Sequence, residues 1–266
     1  MAAVLLAGAA LAAPLDDLAY DYDAALDTAG DALWESDVAA TTNRDWTLDT
    51  TAEAVAVAGG ATTIVKAYEF GGGLATDPSY GTADTFNGSD ISGNSTFEFR
   101  LRPDDLLGQE YIFETGANAS GVALALNGNA LRFVVHANNG VTGTAATLSA
   151  VTDFIQAVGV INGPCNTLYV NGAEADGTSN AGQPPDGWAG SNVAGLGAEN
   201  GFGPDEFDGY GSFDGLIARV RFYDEALAGD EIGDLYDAML PEPATLALLA
   251  LGGLGLLARR GRRQAA

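Results

Sequence analysis

Apolar and polar positions alternate with a period of two along much of the central chain. In residues 96–101, Phe97, Phe99 and Leu101 point one way and Thr96, Glu98 and Arg100 the other, the pattern of a half-buried antiparallel strand. Residues 64–70 alternate in the same way and stop at Gly71-Gly72-Gly73. Further short strands are predicted at 19–22, 44–48, 110–114, 121–126, 130–136, 153–161 and 167–171. Asn127-Gly128-Asn129 makes the turn of one hairpin, and residues 162–166 join another pair. A last strand places Leu216, Ala218, Val220 and Phe222 on one side and Arg219 and Arg221 on the other. The stretches 74–95 and 173–192 read as loops, and 25–34 is open between loop and short helix. Short, regularly spaced strands with Gly and Asn turns predict an all-β sandwich or barrel.

After residue 227 the period changes. Ile232, Leu235, Tyr236 and Met239 fall at i, i+3, i+4 and i+7, an amphipathic helix whose first turn holds Asp230 and Glu231, where the helix dipole favours acids. This helix is expected to cap one end of the sandwich. Proline disfavours helical geometry in the residue before it, so Pro241 ends the helix.

The two ends of the chain read as addresses. Residues 1–13 are almost wholly apolar and hold Ala10-Leu11-Ala12, the A-x-A pattern of a signal-peptide cleavage site, although no Lys or Arg precedes them. Cleavage is expected after Ala12. At the other end, Pro241-Glu242-Pro243 precedes an apolar run from Ala244 to Ala258 and then Arg259, Arg260, Arg262 and Arg263. Fifteen helical residues span about 22 Å, short of the roughly 30 Å hydrocarbon core. The arginines would stay cytoplasmic, which leaves residues 1–240 across the membrane. An ordinary tail anchor is one reading. The three parts in this order also resemble the PEP-CTERM sorting signal of Gram-negative bacteria. That resemblance implies an exosortase-type enzyme that cuts near Pro-Glu-Pro and releases or re-attaches the protein at the cell surface.

Composition bounds what lies between. Residues 13–240 carry 35 acidic side chains against seven basic ones, so this body is more negative, at about −28, than the whole chain at −25. Such a surface repels nucleic acid and anionic lipid, and contact with membrane is expected only through the tail. It attracts divalent cations. The one cysteine, Cys165, at a predicted hairpin turn, excludes an internal disulfide, so stability must come from a core built from the 47% of residues that are apolar.

Four segments carry a second resemblance: Phe97 to Pro103; Ile112-Phe113-Glu114; Leu168-Tyr169-Val170-Asn171-Gly172; and Phe213-Asp214-Gly215 running on to Leu227. Together they are similar to the concanavalin A-like, laminin G-type jelly roll, in which a Tyr-Val-Asn-Gly turn and a Phe-Asp-Gly strand followed by a short helix recur. The resemblance implies two antiparallel sheets spanning 13–240, between a signal peptide at 1–12 and the sorting signal at 241–266. Many relatives carry an acid where this chain has Ala218.

Catalytic material is sparse. One histidine and one cysteine leave little for a Ser-His-Asp, Cys-His or zinc site, and His136, at a strand end, reads as a surface or half-buried residue. Glycosidases on this fold need two carboxyls about 5–9 Å apart. Glu110 and Glu114, four apart on one strand, would share a face at roughly 13 Å. Glu98 has Arg100 two positions on, which lowers its pKa instead of raising it. The Glu-x-Asp-x-x-Glu pattern of laminarinase-like jelly rolls is missing. A weak calcium site is expected on Asp205, Glu206 and Asp208 in their Gly-flanked loop, joined by Asp77, with a solvated acidic loop as the plainer alternative. Trp188, Phe202 and Tyr210, loop aromatics, are the candidate ligand contacts, alongside Phe207. Exposed, they stack on sugars; buried, they pin loops. The expected function is a non-enzymatic module that binds extracellular polysaccharide or a surface protein in adhesion or biofilm; a glycoside hydrolase or lyase, or a purely structural surface protein, are the alternatives.

Overall fold

The computed structural model describes residues 18–27, 33–34, 37, 45–48, 53–57, 61–71, 81–83, 94–117, 120–137, 140–179, 194–199 and 207–240. They form two sheets. The first joins β14 (Ala173–Ser179), β13 (Cys165–Val170), β12 (Ile155–Asn162), β7 (Ser95–Pro103), β17 (Asp214–Tyr223), β5 (Lys66–Gly71) and β4 (Glu53–Ala56) in that order. β1 (Leu18–Asp23) follows β5 along the same edge of β17. The second joins β11 (Gly140–Thr147), β10 (Ala130–Ala137), β9 (Ser120–Asn127), β8 (Gln109–Ala117), β15 (Ala194–Leu196), β6 (Gly81–Ala83), β3 (Trp46–Leu48) and β2 (Leu33–Trp34). β16 (Gly211–Ser212) runs parallel to the start of β8, and the other pairings are antiparallel. The predicted two-sheet jelly roll is the fold.

Alternation explains the core between the sheets. Phe97, Phe99 and Leu101 of β7 face Phe113, Leu124 and Phe133 of the second sheet, all buried. Phe222 sits 5.3 Å from Phe113 and 5.5 Å from Phe97, tilted or edge-on, which suits the ring quadrupoles. Gly159 of β12 has no side chain because the Phe133 ring occupies the space a Cβ would take. The sheets interlock there.

Two bulges break the period. In β8, Tyr111 pairs with Ala125 and Phe113 with Leu124, so Ile112 is an extra residue and three successive side chains are buried. In β17, Ile217 pairs with Leu101 and Arg219 with Arg100, so Ala218 is extra. Ile217, Val220 and Phe222 therefore face the core, whereas Leu216 and Ala218 pack outside it with Phe154 and Met239. This corrects the single face predicted for the last strand. Ala218 is 3% exposed among apolar neighbours, a place where a lone carboxylate would be costly.

The polar face of β7 is also not where its pattern put it. Thr96, Glu98 and Arg100 are buried, because α1 (Gly229–Asp237) lies along the outer face of the first sheet and does not cap an end. Ile232 and Leu235 pack on Val158, Val160, Tyr223 and Leu227. Glu231 accepts from the Ala228 N–H at 2.7 Å and holds the first turn. Beneath the helix, Glu98 accepts from Arg100 Nε and Gln156 Nε2, each at 3.1 Å, and from the Tyr223 hydroxyl at 3.3 Å. Arg221 approaches it at 3.5 Å and Asp21 at 3.2 Å. Arg100 Nη2 donates to the Leu235 carbonyl at 3.1 Å, which ties the helix to the network. Arg219 clasps Asp21 and Asp23 at 2.5 and 2.9 Å.

The Tyr-Val-Asn-Gly turn joins the same structure. Asn171 at φ 53° and Gly172 at φ 75° supply the left-handed pair that a tight hairpin needs. The Gly172 N–H donates to the Gln156 side chain at 3.1 Å, and a Cβ on Gly172 would lie 3.0 Å from Tyr236 of the helix. Cys165, at the start of β13, is partly exposed.

Burial pushes the Glu98 carboxyl up, but Arg100 and Arg221 outweigh it and hold it at about 2. A carboxyl held below its ordinary 4.5 stabilises the fold above that pH and loses the effect as pH falls toward 2. Glu98→Gln should cost about 3–5 kcal/mol at pH 7, because it strands buried arginines, and should flatten the acid limb of stability. Urea unfolding followed by circular dichroism at pH 7 and pH 3 measures both effects.

Candidate functional site

The outer face of the second sheet, the obvious groove in a sandwich, is closed over its described centre. Glu114, Ala123, Ala125 and Val134 are wholly buried there, and His136 is only 9% exposed, so the lone histidine is more buried than the surface or half-buried residue its strand-end position suggested. Phe207 covers part of this face, edge-on to Tyr111 at 5.6 Å, against Tyr210 at 4.9 Å and beneath the Arg132 guanidinium at 5.1 Å. Phe207 pins its loop instead of offering a stacking face. Tyr210 stays partly exposed.

Beside this aromatic hinge lies an open cleft of about 640 Å³. One wall is the turn from β7 to β8, residues 104–108, and the other is residues 209–214 with β16. Backbone bonds fix both walls. The Asp104 N–H donates to the Asp214 carbonyl at 3.0 Å, Gly128 to Gly108 at 2.7 Å, and Tyr210 to Phe207 at 2.9 Å. Asp105 accepts from the Leu107 N–H at 2.8 Å, which shapes the turn and leaves Leu107 86% exposed at the mouth. Gly209, at φ +84°, carries the opposite wall around a corner that other residues resist.

Glu110 stands in this cleft, with its carboxylate against Gly108 and its Oε2 accepting from the Asp214 N–H at 3.2 Å. Burial raises its pKa to about 7 in spite of that bond, with help from the charges of Asp105, Asp214 and Asp104. Asp214 is raised as well, by burial and by the same two aspartates. Among the described residues, no lysine, arginine or histidine lines the cleft. The bulge at Ile112 corrects the expected Glu110–Glu114 relationship: Glu110 pairs with core-facing Leu126 and Glu114 with outward-facing Ala123, so the two acids sit on opposite faces. A smaller cavity of about 150 Å³ near the end of α1 is lined by Lys66, Arg100 and Arg219, each already engaged by a protein oxygen.

Of the ligand candidates, Tyr210 lies in the chain between the cleft-lining Gly209 and Gly211 with its ring packed on Phe207 and Tyr111, whereas Trp188 and Phe202 lie outside the described residues. Of the calcium candidates, Asp208 is exposed on the Phe207–Tyr210 turn, and Asp77, Asp205 and Glu206 lie outside. Among the described residues, no group of three or more carboxylates, imidazoles or thiols is arranged to hold a metal. Pro241, Glu242, Pro243, Arg259, Arg260 and the amino-terminal segment also lie outside, and among the described residues no helix is long and apolar enough to cross a membrane. In the sequence, strand spacing relates Glu110 only to Glu114. The signal that could have found it is the concentration of acids at Asp104-Asp105 and in Phe-Asp-Gly, which meet only once β17 returns beside β7.

A family model described as the concanavalin A-like lectin/glucanases superfamily matches residues 76–233, and the PEP-CTERM protein-sorting motif matches 240–263. Among solved structures, domain 4 of AbnA, an extracellular arabinanase from Geobacillus stearothermophilus, solved with arabinotriose, is similar with a TM-score of 0.58 and 16% identity over 83% of this chain and 98% of that one. The binding domain of Paraclostridial Mosquitocidal Protein 1 aligns with a TM-score of 0.62 and 12% identity over 84% of this chain. A botulinum neurotoxin type C structure, from work tying that toxin's cell entry to two ganglioside molecules, aligns with 0.61 and 13% over 85%. This chain spans about half the length, 52%, of each of those toxin chains. No curated protein matches the chain.

Because the folded state raises the Glu110 pKa above 4.5, it binds that proton more tightly than the unfolded chain does, and stability falls as pH rises from about 4.5 to about 7. Glu110→Gln should therefore leave the melting temperature unchanged at pH 4 and raise it above wild type at pH 8. Differential scanning calorimetry at the two pH values checks the sign.

Proposed function

The chain belongs to the concanavalin A-like lectin/glucanases superfamily, and from that premise we propose an exported, non-catalytic module that binds a glycan in the rim cleft beside Tyr210. The signal-like start and the PEP-CTERM motif support export and sorting by an exosortase-type enzyme to the surface or matrix of a Gram-negative cell. There the glycan is the cell's own extracellular polysaccharide, and the module serves adhesion or matrix association. The cleft carries this reading. It is a large opening, its walls are held by backbone hydrogen bonds, and an apolar side chain at its mouth meets carboxyl, amide and hydroxyl groups inside, a mixture that suits a sugar's alternating C–H and O–H faces.

A hydrolase on the same fold is the second reading, and Glu110 is the observation that favours it, since a carboxyl near neutrality is what a general acid needs. Binding is preferred because neither strand glutamate weighed as a partner can reach Glu110: Glu98 is locked to two arginines and Glu114 is buried on the opposite face.

A glycan array probed with the full chain, followed by calorimetric titration, tests the binding. Gly211 has ordinary space for a Cβ, 3.6 Å from the Gln109 carbonyl, so Gly211→Leu narrows the cleft without moving backbone. It should weaken binding at least about tenfold, roughly 1.4 kcal/mol. An array with no ligand, or an unchanged affinity in Gly211→Leu, sinks the assignment; oligosaccharide cleavage that Glu110→Gln abolishes favours the hydrolase.

A further inference from the structure

We infer that the folded domain controls its own processing: the last turn of α1 must leave the sheet before an enzyme can cut at Pro-Glu-Pro, so the anchor at Met239 sets the rate of release. The inference rests on the sorting reading above and adds the step that limits it. The PEP-CTERM match begins at residue 240, one residue after a side chain with no access to water. Met239 packs with Ala67, Phe154, Leu216 and Ala218 outside the first sheet. Its carbonyl accepts twice from Thr63, from the N–H at 2.9 Å and from the hydroxyl at 3.1 Å. Within the turn, the N–H groups of Ala238, Met239 and Leu240 donate to the carbonyls of Asp234, Tyr236 and Asp237 at 3.0, 2.9 and 3.1 Å. The chain is therefore fastened to the domain up to the first residue of the signal, with no spacer between them.

An enzyme that cuts a peptide bond takes its substrate as open chain, with residues on both sides of the bond in its cleft. For a bond in Pro241-Glu242-Pro243, the residues on the amino side are 237–240, the same ones that form the last turn and carry the anchor. On the other side the apolar run starts at Ala244, four residues beyond Leu240, at most about 14 Å of extended chain. While the anchor is closed, the enzyme has to work between domain and membrane within that length. Opening the turn frees four more residues and roughly doubles the reach. A helix end frays much faster than an enzyme turns over, so the rate of release follows the population of the open form.

The test is pulse-chase of the full chain in a cell that makes its exosortase-type enzyme, with the mature carboxyl terminus read by mass spectrometry. Met239→Ala, which empties the apolar seat of the turn, should speed release at least about tenfold. Thr63→Val, at an exposed position where the hydroxyl bond alone is lost, should speed it about threefold. A flexible Gly-Ser spacer of about six residues between Leu240 and Pro241 leaves the anchor and the domain intact and gives the enzyme open chain of its own. Release from the spacer chain should match that of Met239→Ala, and neither substitution should speed it further. This arm covers the case in which Met239→Ala loosens the whole domain, since general loosening would act equally with and without the spacer. Release unchanged by the spacer or by Met239→Ala, or accelerated equally by Met239→Ala in both chains, overturns control by the anchor while sorting stands. If Arg263 stays on every chain, the spacer chain included, both readings fall.

Discussion

A carboxylate with almost no access to water governs the architecture. Glu98 is 1% exposed, and a charge so placed survives only when every lone pair has a partner. Arg100, Arg221, Gln156 and Tyr223 are those partners, and each leads elsewhere: Arg100 to α1, Gln156 to the Asn171-Gly172 turn, Arg221 to Asp21 of β1. One buried acid thus registers the first strand, a central hairpin and the last helix on one sheet face. Replacing it by an apolar group would take from Arg100 the carboxylate it pairs with and leave Arg221 only Asp21, so the members of the network depend on one another.

That arrangement decides where a ligand can go. The outer face of the first sheet is under α1, and the described centre of the second sheet's outer face is buried over Glu114 and His136. The rim remains, and it has the opposite electrostatic character. Where Glu98 is held at about 2 by cations, Glu110 is pushed to about 7 by burial and by other acids. One carboxyl stabilises the fold at neutral pH and the other weakens it.

Sequence alone located most of this fold because its central strands have one apolar face each. Phe97, Phe99 and Leu101 could be read directly, as could Ile232, Leu235 and Met239 in the helix. β11 and β14 escaped for physical reasons. In β11, Thr144 and Ala146 fill the inward positions and Val141 is 40% exposed, so no apolar alternation marks it; in β14, Ala173 to Gly177 are exposed edge positions. The bulges at Ile112 and Ala218 were invisible because an extra residue is defined by its partner strand. Periodicity named the apolar face of α1 but not the surface it covers, and hence took Glu98 and Arg100 for solvent-facing residues. The candidate site was legible only in fragments, Tyr210 and Asp208 on one side of it, because Glu110, Asp105 and Asp214 are brought together by topology over a hundred residues of chain.

Amide hydrogen exchange of the mature protein, with and without its tightest-binding oligosaccharide, addresses the location of the site most directly. Protection should concentrate in residues 104–111 and 209–214, the two walls of the cleft, with the strands beneath α1 unchanged. Protection confined to α1 or to the outer face of β9 and β10 would contradict the rim as the place where this protein meets its ligand.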